Sequence, residues 1–189
     1  DFQGSRGLGD VYKRQGQLAN DAGFPEGSIN IVPGLGEKAG SSLIKHPDIN
    51  HISFTGSVEI GKKVQTEAAK NLIPVTLELG GKSPQIVFED ANLEKALPFL
   101  INAGIQNAGQ TCSASSRILV SKKIYAELID KMSKLYCKLK VAQAIDDKDL
   151  GPVISSRQRE IITNYLKLSK DLECISEGKF ETNLPEKGY

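Results

Sequence analysis

Short apolar runs alternate with longer helical segments along this chain, and this alternation constrains the fold more than any other feature. The runs are Ile29–Val32, His51–Phe54, Pro74–Leu79, Gln85–Phe88 and Arg117–Val120. Runs of this length are typical of buried strands rather than of helices. Strands that are separated by helices pair in parallel through β-α-β units. The sequence therefore predicts an α/β fold with a mostly parallel sheet.

Six helices are predicted around these strands. Ser57 and Asn92 are residue types that cap helix N-termini, and the helices they begin extend to about Lys70 and about Asn107. The other helices have Gly or Pro at an end, or apolar residues at helical spacing. They are Gln17–Ala22, Glu37–Lys45, Ile124–Val141 and Ser155–Lys170. The polar tail from Gly178 is predicted to be loop.

Charge and cysteine content exclude several classes of protein. The net charge is +1 at pH 7, from 24 Lys and Arg against 23 Asp and Glu, so neither nucleic acid nor a membrane is predicted as a partner. No apolar run is long enough to cross a bilayer, and no signal peptide is visible. The three cysteines form no C-x-x-C pair, so neither a metal site nor a disulfide framework is predicted. We expect a soluble, cytoplasmic protein.

Residues 1–15 differ from the rest of the chain. They show no helical or strand period and no cap that leads into an element. The segment Asp10–Gln15 resembles the translation of a transposon end that is used in preparing sequencing libraries. We therefore predict that residues 1–15 are a non-native tail.

Two predicted strand-to-helix turns, Gly34–Gly40 and Phe54–Gly61, are rich in glycine. Glycine lets backbone N–H groups approach a phosphate, and the N-terminus of the following helix favours an anion. The glycine spacing in the first turn departs by one residue from the common dinucleotide-binding pattern. Tight turns in an α/β sheet are an alternative explanation of these glycines. No phosphate-binding loop of a nucleotide triphosphatase is present, so that class of enzyme is not predicted.

A carboxylate lies at the end of the predicted strand Pro74–Leu79. Glu78 comes just before Gly80 and Gly81, and we expect partial desolvation there, which favours a role as a base. The structural alternative is a strand-end Glu that forms an ion pair with a nearby Lys.

A cysteine among small residues comes further along the chain. Cys112 follows Gly109 and Gln110, so another molecule has room to approach its sulfur, and nearby N–H groups could stabilise an oxyanion. The structural alternative is a small buried apolar residue, and we interpret Cys137 and Cys174 as structural. A thiol nucleophile together with a carboxylate base suits chemistry through a covalent thioester.

Both motifs, and the turn Phe54–Ser57 before them, resemble those of the aldehyde dehydrogenase superfamily. The similarity extends from about Gly16 to about Lys179. It includes Gly151–Ile154, which matches a Gly-Pro loop of the family, and Arg117, which matches the Arg of a Ser-Arg pair. The Glu and Cys motifs in this order, with a Gly-Ser turn upstream, are very specific to the family.

The resemblance implies a role for each reactive side chain. Cys112 would attack the aldehyde carbonyl to form a thiohemiacetal, and its own backbone N–H would be part of the oxyanion hole. Hydride would pass to NAD or NADP, and Glu78 would activate the water that hydrolyses the resulting thioester. Family members that pass the acyl group to coenzyme A usually lack this Glu, so the resemblance implies the hydrolytic branch.

The resemblance also implies a set of cofactor-binding residues and no metal ligands. Gly56 and Ser57 would lie against the cofactor pyrophosphate with the turn through Gly61 around it, and Leu79 and Gly80 would lie near the nicotinamide. The full set is Gly56, Ser57, Val58, Glu59, Ile60, Gly61, Leu79 and Gly80.

Three positions depart from the family pattern. Val58 replaces a common Thr, Ser115 replaces a frequent Gly, and Ile105 replaces an aromatic residue near the substrate tunnel. None of these changes removes a reacting group. The family's oxyanion-hole Asn and its ribose-binding Lys would come before the residues present here, and its Glu-Glu-Ile-Phe-Gly-Pro segment would follow Tyr189.

These features imply an internal fragment of an NAD(P)-dependent aldehyde dehydrogenase that acts on a small-molecule aldehyde. Residues 16–80 would be the C-terminal part of a Rossmann-like cofactor domain, and residues 81–189 the first part of an α/β catalytic domain. The full-length protein would be a homo-oligomer. Two alternatives stay open: the fragment alone is inactive because its sheets are incomplete, or the enzyme transfers the acyl group to coenzyme A.

Overall fold

The chain forms two compact α/β units in a computed structural model that describes residues 8–178. The first unit runs to Leu79 and the second begins at Gly80. Each unit contains one two-stranded parallel sheet. The elements are α1 Leu8–Asp21, α2 Ser41–Ile44, β1 Ile52–Gly56, α3 Val58–Lys70, β2 Val75–Leu79, β3 Pro84–Val87, α4 Leu93–Ile105, β4 Arg117–Val120, α5 Tyr125–Tyr136 and α6 Ser156–Leu168. The predicted α/β class and the parallel pairing are confirmed.

The first unit is a β-α-β arrangement in which α3 connects β1 to β2. The two strands pair in register from Ile52 opposite Val75 to Gly56 opposite Leu79. Alternate strand residues point to one face of a sheet, and that face packs on the apolar stripe of the helix. The buried cluster consists of Ile52, Val64, Ala68 and Ile73, with Phe54, Val75 and Leu77 packed against it.

The second unit repeats this arrangement with α4 between β3 and β4. The strands pair from Pro84 opposite Arg117 to Val87 opposite Val120. Residues of α4 and α5 pack on one face of this sheet, and Leu128 of α5 is the most deeply buried of them at 1% exposed. Because this core is separate from that of the first unit, each pair of strands has its own hydrophobic cluster.

Side-chain caps define the starts of the two crossover helices, as predicted. The Ser57 hydroxyl accepts a hydrogen bond from the backbone N–H of Ile60 at 3.3 Å, and the side-chain Oδ1 of Asn92 accepts one from the backbone N–H of Lys95 at 3.1 Å. Each bond satisfies one of the N–H groups that the first turn of a helix leaves without a partner.

One predicted element is wrong in the first unit and another differs in form. Ile29–Val32 is not a strand; Ile29 is 48% exposed and Val32 73% exposed. A parallel strand needs a neighbour with which to form hydrogen bonds, and the only strand pair in the described part of this unit joins β1 and β2. The helix predicted at Glu37–Lys45 is present, but it begins as a π-helical turn at Gly36–Gly40 and continues as α2.

The long helix predicted at Ile124–Val141 is shorter in the structure. A 3₁₀ turn precedes it, and α5 ends at Tyr136. Val141 forms a parallel bridge with Leu150, supported by a hydrogen bond from the Ala142 N–H to the Leu150 carbonyl at 3.0 Å. This pairing draws the chain out of the helical path even though the apolar spacing continues.

The expectation of no regular structure in residues 1–15 is wrong for residues 8–15. These residues form the first part of α1 and continue without a break into the helix end predicted at Gln17–Ala22. Residues 1–7 and 179–189 lie outside the described part of the chain, so the predicted tail is covered only in part, and the loop predicted from Gly178 lies outside it except for Gly178 itself. Within residues 8–178, no helix has the length and apolar character needed to cross a membrane.

Candidate active site

The carboxyl ends of β1 and β2 bring several of the predicted cofactor residues together. Gly56 is the last residue of β1 and lies opposite Leu79, the last residue of β2. Ser57 follows directly and caps α3. In open parallel sheets, ligands bind at this edge, so the Gly-Ser turn lies where such a ligand would be expected.

The N-terminus of α3 has unpaired N–H groups that suit an anion. Ser57 uses its hydroxyl for the Ile60 N–H and its carbonyl for the Gly61 N–H at 2.9 Å. The N–H groups of Val58 and Glu59 therefore have no acceptor within the helix, and both residues are exposed. Lys63 forms an ion pair with the Glu59 carboxylate at 3.2 Å, which offsets part of its negative charge at this helix end.

Gly61 packs α3 closely against the end of β2. It is buried, and a Cβ atom at this position would lie 2.7 Å from Cδ2 of Leu79 and 3.0 Å from its Cδ1. Real Cβ atoms do not approach neighbours this closely, so only glycine fits without a shift of Leu79. The geometry gives Gly61 a packing role that sets the distance between the helix and the strand.

Gly61→Ala should therefore lower the free energy of unfolding by about 1 kcal/mol relative to Gly40→Ala, the lower end of the range for overpacking, because the added methyl group displaces only the flexible end of the Leu79 side chain. Gly40 is the matched control, since it has helical dihedral angles and open space where its Cβ would lie. Denaturant unfolding of the complete enzyme measures the free energy for both variants. Adding Leu79→Ala to Gly61→Ala should cost less than the sum of the two single changes; strict additivity would show that the two side chains do not clash.

Glu78 lies in β2 opposite Thr55 of β1. The predicted desolvation of its carboxylate is wrong, because Glu78 is exposed in this unit. Its neighbours Leu77 and Leu79 are half-buried, and the two-residue period of a strand turns Glu78 to the opposite face. None of the ion pairs within residues 8–178 involves Glu78, so the alternative of a structural pair with Lys receives no support.

In the second unit, Cys112 lies at the centre of a tight turn and is exposed. The Ala114 N–H donates to the Thr111 carbonyl at 3.1 Å and closes the turn, which leaves the N–H groups of Cys112 and Ser113 outside this bond. Ala114 is only 8% exposed and anchors the turn in the protein. The thiol is thus accessible beside two backbone donors.

The loop before the cysteine has an unusual backbone. Asn107, Ala108 and Gly109 have φ angles of 51°, 55° and 75°, so three consecutive residues are left-handed. Gly adopts this conformation readily and Asn tolerates it, but for Ala it costs about 1–2 kcal/mol. The chain reverses sharply here, between the end of α4 and the cysteine turn.

The far side of the cysteine turn is attached to α4 and α5. The Ser115 N–H donates to the Ala103 carbonyl at 2.9 Å. A Cβ atom at Gly104 would lie 3.4 Å from both the Ser115 carbonyl and the Tyr136 hydroxyl, so the helix, the turn and Tyr136 meet at a glycine. Burial of this region raises the pKa of the Tyr136 phenol.

The Gly-Gly turn before β3 lies beside the cysteine turn. A Cβ atom at Gly81 would lie 3.8 Å from the Cys112 carbonyl oxygen, and Gly80 has open space around it. The Arg117 Nε–H donates to the Lys82 carbonyl at 2.9 Å and holds this turn to the start of β4. The structure therefore brings Gly81 close to Cys112 within the second unit and shows no contact of Gly80 with the cysteine turn, whereas Glu78 belongs to the first unit.

The other two cysteines are exposed. The Cys137 sulfur lies 3.2 Å from the Ser176 hydroxyl, and the Cys174 thiol donates to the Ser176 carbonyl at 3.8 Å. In residues 8–178, no group of three or more His, Cys, Asp or Glu side chains is arranged to hold a metal ion.

One site residue was missed by the sequence interpretation. The Gln110 side chain bonds to the backbone of Asn107 and of Ile154, which joins the cysteine loop to the Gly-Pro loop. The sequence indicates Gln110 only as a neighbour of Cys112. The pattern contains no signal for this bond, because a Gln beside a reactive Cys does not indicate which distant backbone group it reaches.

Comparison with known proteins identifies the family. The model of the aldehyde dehydrogenase family matches residues 13–189. The chain is 42% identical over 167 residues to aminoaldehyde dehydrogenase 1 of Pisum sativum, with 88% of the chain and 31% of the relative covered. It is 42% identical over 156 residues to betaine aldehyde dehydrogenase of Atriplex hortensis, with 82% of the chain and 31% of the relative covered.

A solved structure also points to the aldehyde dehydrogenase family. Betaine aldehyde dehydrogenase of Staphylococcus aureus, in complex with NAD+, superimposes with a TM-score of 0.80 at 38% identity and covers 85% of the chain and 32% of that protein. The chain thus spans about a third of the length of the relatives that it matches. The chain belongs to the aldehyde dehydrogenase family.

Proposed function

We propose that this chain is an internal segment of an enzyme that oxidises an aldehyde to a carboxylic acid with NAD+ or NADP+, and that Cys112 is the nucleophile. The observation that carries this proposal is the exposed Cys112 thiol at the centre of a closed turn, beside two N–H groups that the turn leaves free. Membership of the family supports it. A homo-oligomeric assembly and a cytoplasmic location stay predictions from the resemblance.

In this proposal Cys112 acts in the first half-reaction and Glu78 in the second. The Cys112 thiolate adds to the aldehyde carbon, and the backbone N–H groups of Cys112 and Ser113 stabilise the oxyanion. Loss of hydride from that carbon leaves a thioester. Glu78 then removes a proton from a water molecule, which adds to the thioester. The C–S bond breaks, and the carboxylic acid leaves while the thiolate is regenerated.

The residues at the end of β1 fit the pyrophosphate of a dinucleotide. The N–H groups of Val58 and Glu59 are free of helical partners, and the helix N-terminus favours negative charge. NAD+ or NADP+, when bound, supplies the hydride acceptor. We propose that Gly56, Ser57 and the first turn of α3 hold the phosphates; the NAD+ complex of the Staphylococcus aureus relative supports this use of a nicotinamide cofactor.

The direct test is an assay of the complete enzyme with an aldehyde and NAD+ or NADP+. We expect steady formation of reduced nicotinamide and of a carboxylic acid without coenzyme A. Acyl-coenzyme A as the product, with no turnover in its absence, would instead favour the acyl-transferring alternative.

A second proposal concerns the 189-residue chain by itself: we expect it to be inactive and to lack a stable fold. Large apolar side chains are exposed on the β3–β4 sheet, where Ile86 is 61% exposed and its partner Leu119 is 54% exposed, and α6 has no buried residue. Unfolding of the isolated chain by urea, followed by circular dichroism, should be broad. A sharp two-state transition would contradict this proposal.

A further inference from the structure

The Gln110 carboxamide connects two segments that are far apart in the sequence. Its Oε1 accepts a hydrogen bond from the Ile154 backbone N–H at 2.9 Å, and its Nε2 donates to the Asn107 carbonyl at 3.0 Å. The side chain is half-buried. One side chain therefore joins the Gly-Pro loop, Gly151–Ile154, to the loop that carries Cys112.

The Asn107 carbonyl accepts two hydrogen bonds within the loop that carries Cys112. It accepts a bond from the Gln110 side chain and a second bond from the Gln110 backbone N–H at 3.1 Å. These bonds support the left-handed segment 107–109, in which the conformation is unfavourable for Ala108. Thr111 adds a longer bond at 3.5 Å from its hydroxyl to the Gln106 carbonyl.

Only a carboxamide of this length can form both bonds. The Ile154 N–H requires an acceptor and the Asn107 carbonyl requires a donor, and Gln offers one of each at the end of its side chain. Glu keeps the length but places a carboxylate oxygen against the Asn107 carbonyl. Met keeps the length and loses both bonds.

We propose that Gln110 is a positioning residue that clamps the Gly-Pro loop to the cysteine loop and so holds the Cys112 sulfur in line with the aldehyde carbonyl. This inference rests on the proposed role of Cys112 as nucleophile. Gln110 itself does not touch the reacting atoms in this scheme. A shift of about 1 Å in the nucleophile is enough to lower the rate of attack by about 100-fold.

The test compares Gln110→Glu and Gln110→Met with Gln143→Glu in the complete enzyme. Gln143 is an exposed residue outside both loops and receives the same chemical change. Both Gln110 variants should lower the rate of the first burst of NAD(P)H by about 100-fold. The aldehyde concentration that gives half of the maximal burst rate and the Kd for NAD+ should change by less than about threefold, because binding does not depend on the direction of the sulfur. Gln143→Glu should match the unaltered enzyme.

Three outcomes would overturn the clamp. The first is a full burst rate in Gln110→Met, which would make charge repulsion the cause of any loss in Gln110→Glu. The second is a fall in the unfolding midpoint with an unchanged burst rate, which would make Gln110 merely structural. The third is an equal fall in the burst rate of the Gln143→Glu enzyme. A parallel Cys112→Ala enzyme separates this test from the proposed function: full activity there contradicts Cys112 itself, whatever Gln110 does.

Discussion

Replacing Cys112 by Ala in the complete enzyme should lower the steady rate of NAD(P)H formation from an aldehyde by at least about 10³-fold. Without the sulfur, no covalent bond forms to the carbonyl carbon, and the tetrahedral centre from which hydride leaves does not exist. The turn Thr111–Ala114 should keep its shape, since its closing bond joins the backbone of Thr111 and Ala114 and does not use the Cys112 side chain. The absorbance of the reduced nicotinamide gives the rate.

Cys137 and Cys174 provide matched controls for this prediction. Both are exposed thiols of the same unit, and neither belongs to the turn with free N–H groups. Cys137→Ala and Cys174→Ala should keep the rate within about twofold. Equal binding of NAD+ by the Cys112→Ala enzyme and the unaltered enzyme shows that its fold is intact. Persistent turnover by Cys112→Ala would remove the thiol as the nucleophile.

Much of the fold could be predicted because local signals agreed with the tertiary packing. Ser57 and Asn92 are strong helix caps, and β4 has the predicted limits Arg117–Val120. The prediction failed where backbone pairing with another segment decides whether residues form a strand or a helix. Ile29–Val32 has the composition of a strand but pairs with no strand among residues 8–178, and Val141 leaves the predicted helix to pair with Leu150.

The candidate site was only partly predictable, because some of its features depend on contacts between segments that are distant in the sequence. The residue types of Cys112 and Glu78 indicate their chemistry, and their motifs resemble a known family. The tight packing of Gly61 on Leu79 and the clamp formed by Gln110 depend on distances between segments that the sequence does not contain. The left-handed conformation of Ala108 has no local signal either, because Ala has no preference for it.

Glu78→Gln in the complete enzyme should separate the two half-reactions. The amide cannot take a proton from water, so hydrolysis of the thioester should slow by about 10²- to 10⁴-fold. Attack by Cys112 and hydride loss do not need this proton transfer, so the first turnover should still release one NAD(P)H per active site. We expect a rapid burst followed by a very low steady rate, and the mass of the protein should increase by that of the acyl group on Cys112.

Glu67→Gln is the control for this experiment, because Glu67 is a carboxylate of the same unit that forms an ion pair with Lys70 on α3. It should turn over at the normal rate, with no accumulated acyl-enzyme. The position of Glu78 on the exposed face of β2 agrees with a base that must reach water. Unchanged turnover in Glu78→Gln would exclude it as the base. Loss of the burst as well would place its action before the thioester, which contradicts the order in which Cys112 acts first and Glu78 second.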